Sequence, residues 1–225
     1  MSPMPDPVDR LGASWTANAG AWTRVVREGA IPSRQAGTDA AIIEAVVRSL
    51  PPQGRVLDVG CGEGWLARAL ASLGAGVHGV DASAPLIEAA REEGGSFDVV
   101  TYAEAVSNPA RLGEEYDAIV FNFALLDDDA VGILRAAASR LDVGGRVIVQ
   151  TVHPASVGGT YSEGWREETF DAFGHDFEPM PWYFRTFGAW VRALDAAGLR
   201  LTEAVEPGHP ETGAPLSLIM VSEAG

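Results

Sequence analysis

Residues 55–64 read Arg55-Val56-Leu57-Asp58-Val59-Gly60-Cys61-Gly62-Glu63-Gly64. Val56 to Val59 form a short apolar run closed by turn residues, the pattern of a strand covered on both faces of a sheet. Gly60, Gly62 and Gly64 carry no Cβ, so the backbone there can turn sharply and come against a ligand. Beyond them Leu66, Ala69, Leu70 and Leu73 recur at helical spacing, and Gly74 ends the helix. Strand, glycine turn and helix N-terminus make a cradle for a nucleotide cofactor.

The side chains around the turn narrow the choice of cofactor. A dinucleotide fingerprint needs a third glycine for close packing of helix on strand, and that position is held by Trp65. Asp58 places a negative charge before the turn, which repels a pyrophosphate and suits a ligand carrying ammonium and sulfonium charge. The run resembles motif I of the class I S-adenosylmethionine-dependent methyltransferases, an acidic residue followed by G-x-G-x-G. The resemblance implies S-adenosylmethionine as cofactor, S-adenosylhomocysteine as product, and methyl transfer to an oxygen, nitrogen or carbon of a small molecule. Two other readings stay open: a nicotinamide-dependent oxidoreductase, which Trp65 disfavours, and a non-catalytic domain that senses or scaffolds S-adenosylmethionine.

Length and composition fit that scale of ligand. At 225 residues the chain makes one domain with a substantial core. The net charge of −15, with no Lys/Arg cluster, argues against a nucleic-acid partner, since such binding draws on phosphate neutralisation. Cys61 is the single cysteine, so no intrachain disulfide forms and a reducing, cytoplasmic setting is expected. The first residues lack the basic and apolar regions of a signal peptide, and no apolar run is long enough to span a membrane.

From residue 55 onward strand and helix patterns alternate, which predicts an α/β, doubly wound, mostly parallel sheet with right-handed crossovers. Strands are predicted at 55–59, 76–80, 97–101, 117–123, 145–152, 199–205 and 216–222, with helices near 64–73, 84–93, 129–141 and 186–197 and an irregular link around 104–113. Seven strands match the Rossmann-like methyltransferase sheet, in which the resemblance implies an antiparallel seventh strand beside the fifth. Residues 1–54 read as two N-terminal helices. The first carries Trp15, Asn18, Trp22 and Val25 on one face, with Ser14 as N-cap. The second, capped by Thr38 or Asp39, has the stripe Ile42, Ile43, Val46, Val47 and Leu50. The whole chain is read as one domain: helices 1–54, cofactor core 55–153, an insertion 154–187, and a last helix and strand pair 188–225. The insertion is far longer than the usual connection and holds half of the chain's aromatic side chains. It leaves the sheet at the carboxyl end, so it reads as a lid that lines the pocket of an apolar or aromatic acceptor. Oligomeric state is not legible.

Further site residues follow from position. Asp81 ends the second strand, followed by Ala82, and can accept hydrogen bonds from both ribose hydroxyls. In the resembling family an Asp ending the third strand meets the adenine amino group; here Tyr102 stands there, so adenine is expected at the Ala103 backbone with Glu104 or Tyr102 beside it. Glu104 reads equally well as a solvated helix-start acid. The resemblance implies that Asn122 and Phe123, after the fourth strand, lie under the donor's methionine part, and Arg34 could pair its carboxylate. Asp127, Asp128 and Asp129 read as a helix-start cluster, with no metal site. His153 is a candidate general base, with His175, Tyr161, Asp176 and Glu178 as rivals.

Overall fold

A computed structural model describes residues 7–170 and 177–225 of the chain. Phe173, His175 and Asp176 of the insertion lie outside the described residues. The strands are β1 (Arg55–Val59), β2 (Gly76–Asp81), β3 (Ser96–Val99), β4 (Tyr116–Asn122), β5 (Leu141–Val152), β6 (Gly164–Glu168), β7 (Met180–Phe184), β8 (Leu199–Val205) and β9 (Ser217–Ala224). The α-helices are α1 (Pro7–Arg27), α2 (Asp39–Arg48), α3 (Trp65–Ser72), α4 (Ala84–Glu92), α5 (Tyr102–Ser107), α6 (Ala130–Ala138) and α7 (Phe187–Ala196).

Seven strands form one sheet in the order β3-β2-β1-β4-β5-β9-β8. The first five pair in parallel, and β9 runs antiparallel to both β5 and β8. Both faces are covered, which explains why the central strands read as continuous apolar runs. Leu57, Ile119, Phe121 and Val147 turn to one face and pack with Leu134 and Trp190. Val56, Ala118, Val120 and Ile148 turn to the other and meet Ile42, Val46, Leu66 and Leu70. Chain order reverses between β1 and β4, which opens a crevice at their carboxyl ends.

Helix starts differ from the sequence expectation in places. α1 begins at Pro7, so Ser14 lies inside it and its hydroxyl bonds the Leu11 carbonyl at 2.8 Å instead of capping. Thr38 precedes α2 without a side-chain cap bond, and Val47 falls off the buried stripe, 45% exposed. The irregular link resolves into α5, closed by a reciprocal cap between Thr101 and Glu104, and a 3₁₀ turn over Pro109–Leu112.

The described part of the insertion opens with a short 3₁₀ turn at Pro154–Ser156 and includes an antiparallel hairpin, β6 with β7, with Trp165 opposite Tyr183. Its aromatic residues make it a packed unit docked on α1. The buried Asn18 amide brackets Glu178, donating to its carbonyl at 3.0 Å and accepting from its N–H at 2.8 Å. Trp22 donates to the Met180 sulfur at 3.3 Å, and its ring lies 4.9 Å from those of Phe170 and Phe177. The hairpin also reaches the sheet's carboxyl edge, where the Tyr183 N–H donates to the Leu126 carbonyl at 2.7 Å.

Candidate functional site

The glycine turn is folded back onto β2. The N–H groups of Gly60 and Cys61 donate to the Val80 carbonyl at 2.7 and 3.1 Å, and the Gly62 N–H donates to the Asp81 carboxylate at 2.9 Å. Gly60, Gly62 and Gly64 take φ of +76, +57 and +84, a region side chains rarely adopt. A Cβ on Gly60 would lie 2.4 Å from the Ala124 Cβ, whereas one on Gly62 would meet nothing within 4 Å. The turn therefore touches the loop after β4 at one end and faces open space at its middle. Glu63, 3% exposed, pairs with Arg68 at 2.5 Å and Arg27 at 3.5 Å, tying the turn to α3 and α1. Cys61 is buried, and its thiol is pushed well above the usual range by burial and by Asp58 and Asp81. It stays protonated and serves as a small side chain in the turn.

Two acids of different character sit at this turn. Asp81 accepts from Gly62 and, at 2.8 Å, from the Ser83 N–H. Two bonds leave each carboxylate oxygen with acceptor capacity to spare. Burial raises its pKa, and the bonded N–H groups of Ser83 and Gly62, with a smaller pull from the nearby Ala82 N–H, bring it back down. Asp58 is only 1% exposed, and neither of its carboxylate oxygens has a hydrogen-bond partner among the described residues. Burial first, and the Asp81 charge second, push its pKa up to about 7. An unpartnered buried acid beneath an open glycine turn fits a ligand that brings positive charge and its own donors.

The loop between β4 and α6 forms the other wall. Asn122 ends β4, with its side-chain oxygen buried and unpartnered. Phe123 turns the chain at φ +53, and its N–H donates to the Gln150 carbonyl at 2.8 Å. The Tyr102 hydroxyl donates to the Ala124 carbonyl at 3.1 Å. Arg185, 5% exposed, reaches from the end of the hairpin to the carbonyls of Leu125 (3.3 Å) and Asp127. Its guanidinium lies about 5 Å from the rings of Tyr183 and Trp190 (5.0 and 4.9 Å). Burial, against the opposing pull of Arg185, pushes Asp127 up to about 6.

The comparisons with known proteins agree with this geometry. Residues 56–145 match a family described as a methyltransferase domain. The chain is thus similar, over 90 of its 225 residues, to methyltransferase domains. It is 34% identical over 158 residues to a ubiquinone biosynthesis O-methyltransferase of Chelativorans sp. (strain BNC1), covering 64% of this chain and 58% of the relative. A protein of the same name from Parvibaculum lavamentivorans is 32% identical over 163 residues, covering 66% and 60%. The chain thus spans about three fifths of the length of these relatives. Among solved structures, magnesium protoporphyrin IX methyltransferase from Synechocystis PCC 6803 with bound SAM superposes over the whole of both chains (TM-score 0.66, 17% identity). An S-adenosylmethionine-dependent methyltransferase from Mesorhizobium loti covers 80% of this chain and 95% of its own (TM-score 0.60, 20% identity). At these identities the two structures establish the fold.

The other expected site residues sit differently from one another. Ala82 is exposed beside Asp81, and Ala103 is exposed at the start of α5. The Glu104 carboxylate accepts from both the N–H and the hydroxyl of Thr101, so it is spent on the helix cap. The Tyr102 hydroxyl is turned to the β4 loop. Arg34 holds Asp39 through Nε at 2.7 Å and lies 4.0 Å over the Trp65 ring, which places it against the start of α3. His153 has both ring nitrogens engaged: Nδ1 accepts from the Ala155 N–H at 3.2 Å, and Nε2 lies 2.6 Å from Glu206. That leaves it no free lone pair for an acceptor proton. Tyr161 is 56% exposed and accepts from the Phe187 N–H at 3.1 Å. Glu178 is held by Asn18 through its backbone, and Asp129, not Asp127, caps α6. Among the described residues no His, Cys, Asp and Glu cluster could hold a metal. No described helix is long and apolar enough to cross a membrane.

Sequence reasoning missed the buried Arg185 and its approach to the half-buried Asp127 and Tyr102. Its signal is faint: one arginine closing the aromatic run Trp182-Tyr183-Phe184.

Proposed function

We propose that this chain transfers a methyl group from S-adenosylmethionine to a small-molecule acceptor. The observation that carries the reading is Asp81, a half-saturated carboxylate bonded to the glycine turn, with the unpartnered Asp58 beneath it. Gly60, Cys61 and Gly62 would supply the cradle, Asp81 and Ala82 the ribose contact, and Asn122 and Phe123 the wall along the methionine part. Ala103 would face the adenine through its backbone. Glu104 would shape that edge as a helix cap, and Arg34 would close the outer side near Trp65. When bound, S-adenosylmethionine supplies an already activated methyl group, so the chain's main task is to hold the acceptor in line. Such positioning is worth up to about 7–11 kcal/mol. Trp65, capped by Arg34 at the start of α3, speaks against the close helix packing of a dinucleotide enzyme.

The aromatic hairpin beside the β4–α6 loop supports the lid reading and an apolar or aromatic acceptor. The names of the curated relatives favour an oxygen as the atom methylated. For a hydroxyl acceptor, Asp127 is a better proton acceptor than His153: one of its oxygens is unpartnered, and its pKa of about 6 lies close to working pH.

Asp81→Ala tests the cradle. Hydrogen bonds to a charged group are worth about 1.5–3 kcal/mol, so S-adenosylhomocysteine affinity should fall roughly 10- to 150-fold in a folded variant. Calorimetric titration reads the loss directly, and unchanged affinity would reject the ribose assignment.

A further inference from the structure

The two acids of the cradle are unequally provided for. Asp81 receives N–H groups from Gly62 and Ser83; Asp58 receives none. Among the described residues, the titratable groups that act on Asp58 or feel its charge are Asp81 from β2, Cys61 on the turn and Tyr102 from α5, and none of these is a cation. Two neighbouring buried acids in one site do not both ionise readily, and the one without donors keeps the proton. Asp81 therefore carries the charge in the free protein.

We propose that Asp58 distinguishes the cationic methyl donor from its product, holding a proton in the free protein and releasing it to solvent when the donor's positive charge arrives. This rests on the donor reading given above. S-adenosylmethionine carries a sulfonium that S-adenosylhomocysteine lacks, while both carry the same ammonium and carboxylate. The extra positive charge stabilises ionised Asp58, so the proton leaves to the buffer when the donor binds. Loss of the methyl group removes that charge, Asp58 regains a proton from solvent, and this charge contribution favours the donor over the product. The preference for donor over product then grows as pH rises through neutrality, because an acid already ionised costs no proton release.

The experiment is calorimetric titration of the whole protein with S-adenosylmethionine and with S-adenosylhomocysteine, between pH 6 and 8, in buffers of different ionisation enthalpy. At pH 6.5 the donor should release about half a proton or more, and the product distinctly less. The affinity ratio of donor to product should rise about fivefold or more over the range, as expected of a charge pair at protein dielectric. Asp58→Asn should abolish both effects. A second readout needs no ligand. The raised pKa means that folded Asp58 binds a proton the unfolded chain does not, so wild-type stability is lost as pH rises from about 4 to 7. The Asn variant should therefore gain more melting temperature over wild type at pH 8 than at pH 5. Equal proton counts for donor and product, buffer-independent heats, or an Asn variant that still releases the proton would overturn the proposal. If the Asn variant does not fold, the wild-type proton counts decide. Binding without differential proton release sinks this inference alone; failure of both ligands to bind sinks the donor reading with it.

Discussion

Replacing Gly60 by alanine is expected to weaken S-adenosylhomocysteine binding on the order of 100-fold while leaving the sheet folded. Two independent costs combine. A left-handed φ of +76 costs a residue with a Cβ roughly 1–2 kcal/mol. The new methyl would also lie 2.4 Å from the Ala124 Cβ, so either the turn or the β4–α6 loop must move. Both are walls of the proposed cradle, and the Gly60 N–H bond to Val80 holds the turn in place. Titration calorimetry together with circular dichroism checks the result. A folded variant with wild-type affinity would show that the ligand does not use this turn.

Arg185→Met should cost about 3–5 kcal/mol of stability, read as a shifted urea midpoint. Arg185 is 5% exposed, and its guanidinium serves two carbonyls, at Leu125 and Asp127, while lying about 5 Å from the rings of Tyr183 and Trp190 (5.0 and 4.9 Å). Methionine fills much of the volume but leaves those carbonyls and the Asp127 carboxylate uncompensated in a buried site. Lysine restores the charge without the planar fork and should recover part of the loss. A loss below about 1 kcal/mol for the Met variant would mean that water reaches these carbonyls, and that the hairpin is not fastened to the β4–α6 loop through Arg185.

The sheet was legible because its signal is local. Val56–Val59 and the strands after it are short apolar runs, and each Gly or Pro that bounds them acts within a few residues of itself. The glycine turn and Asp81 were legible for the same reason, since strand-end acids and Cβ-free turns are fixed by position in the motif. Contacts between distant segments were not. Asn18 meets Glu178, and Arg185 meets Leu125, across 160 and 60 residues, and nothing in either stretch names its partner. The helix start at Pro7 was hidden by polar Ser14, which back-bonds within α1 as easily as it would cap. His153 looked free because a histidine before proline shows neither the Ala155 N–H nor Glu206 that occupy its ring. Arg34 reads as an exposed loop cation until the π-helical turn at Arg34–Thr38 lays it over Trp65.

The central claim is that the crevice between β1 and β4 receives S-adenosylmethionine. Its most direct test is calorimetric titration of the whole protein with S-adenosylmethionine, S-adenosylhomocysteine and NAD in parallel. The account predicts saturable binding of the first two, each weakened by Asp81→Ala, and no heat from NAD. Binding of NAD alone, or wild-type S-adenosylmethionine affinity in folded Asp81→Ala and Gly60→Ala variants, would contradict it.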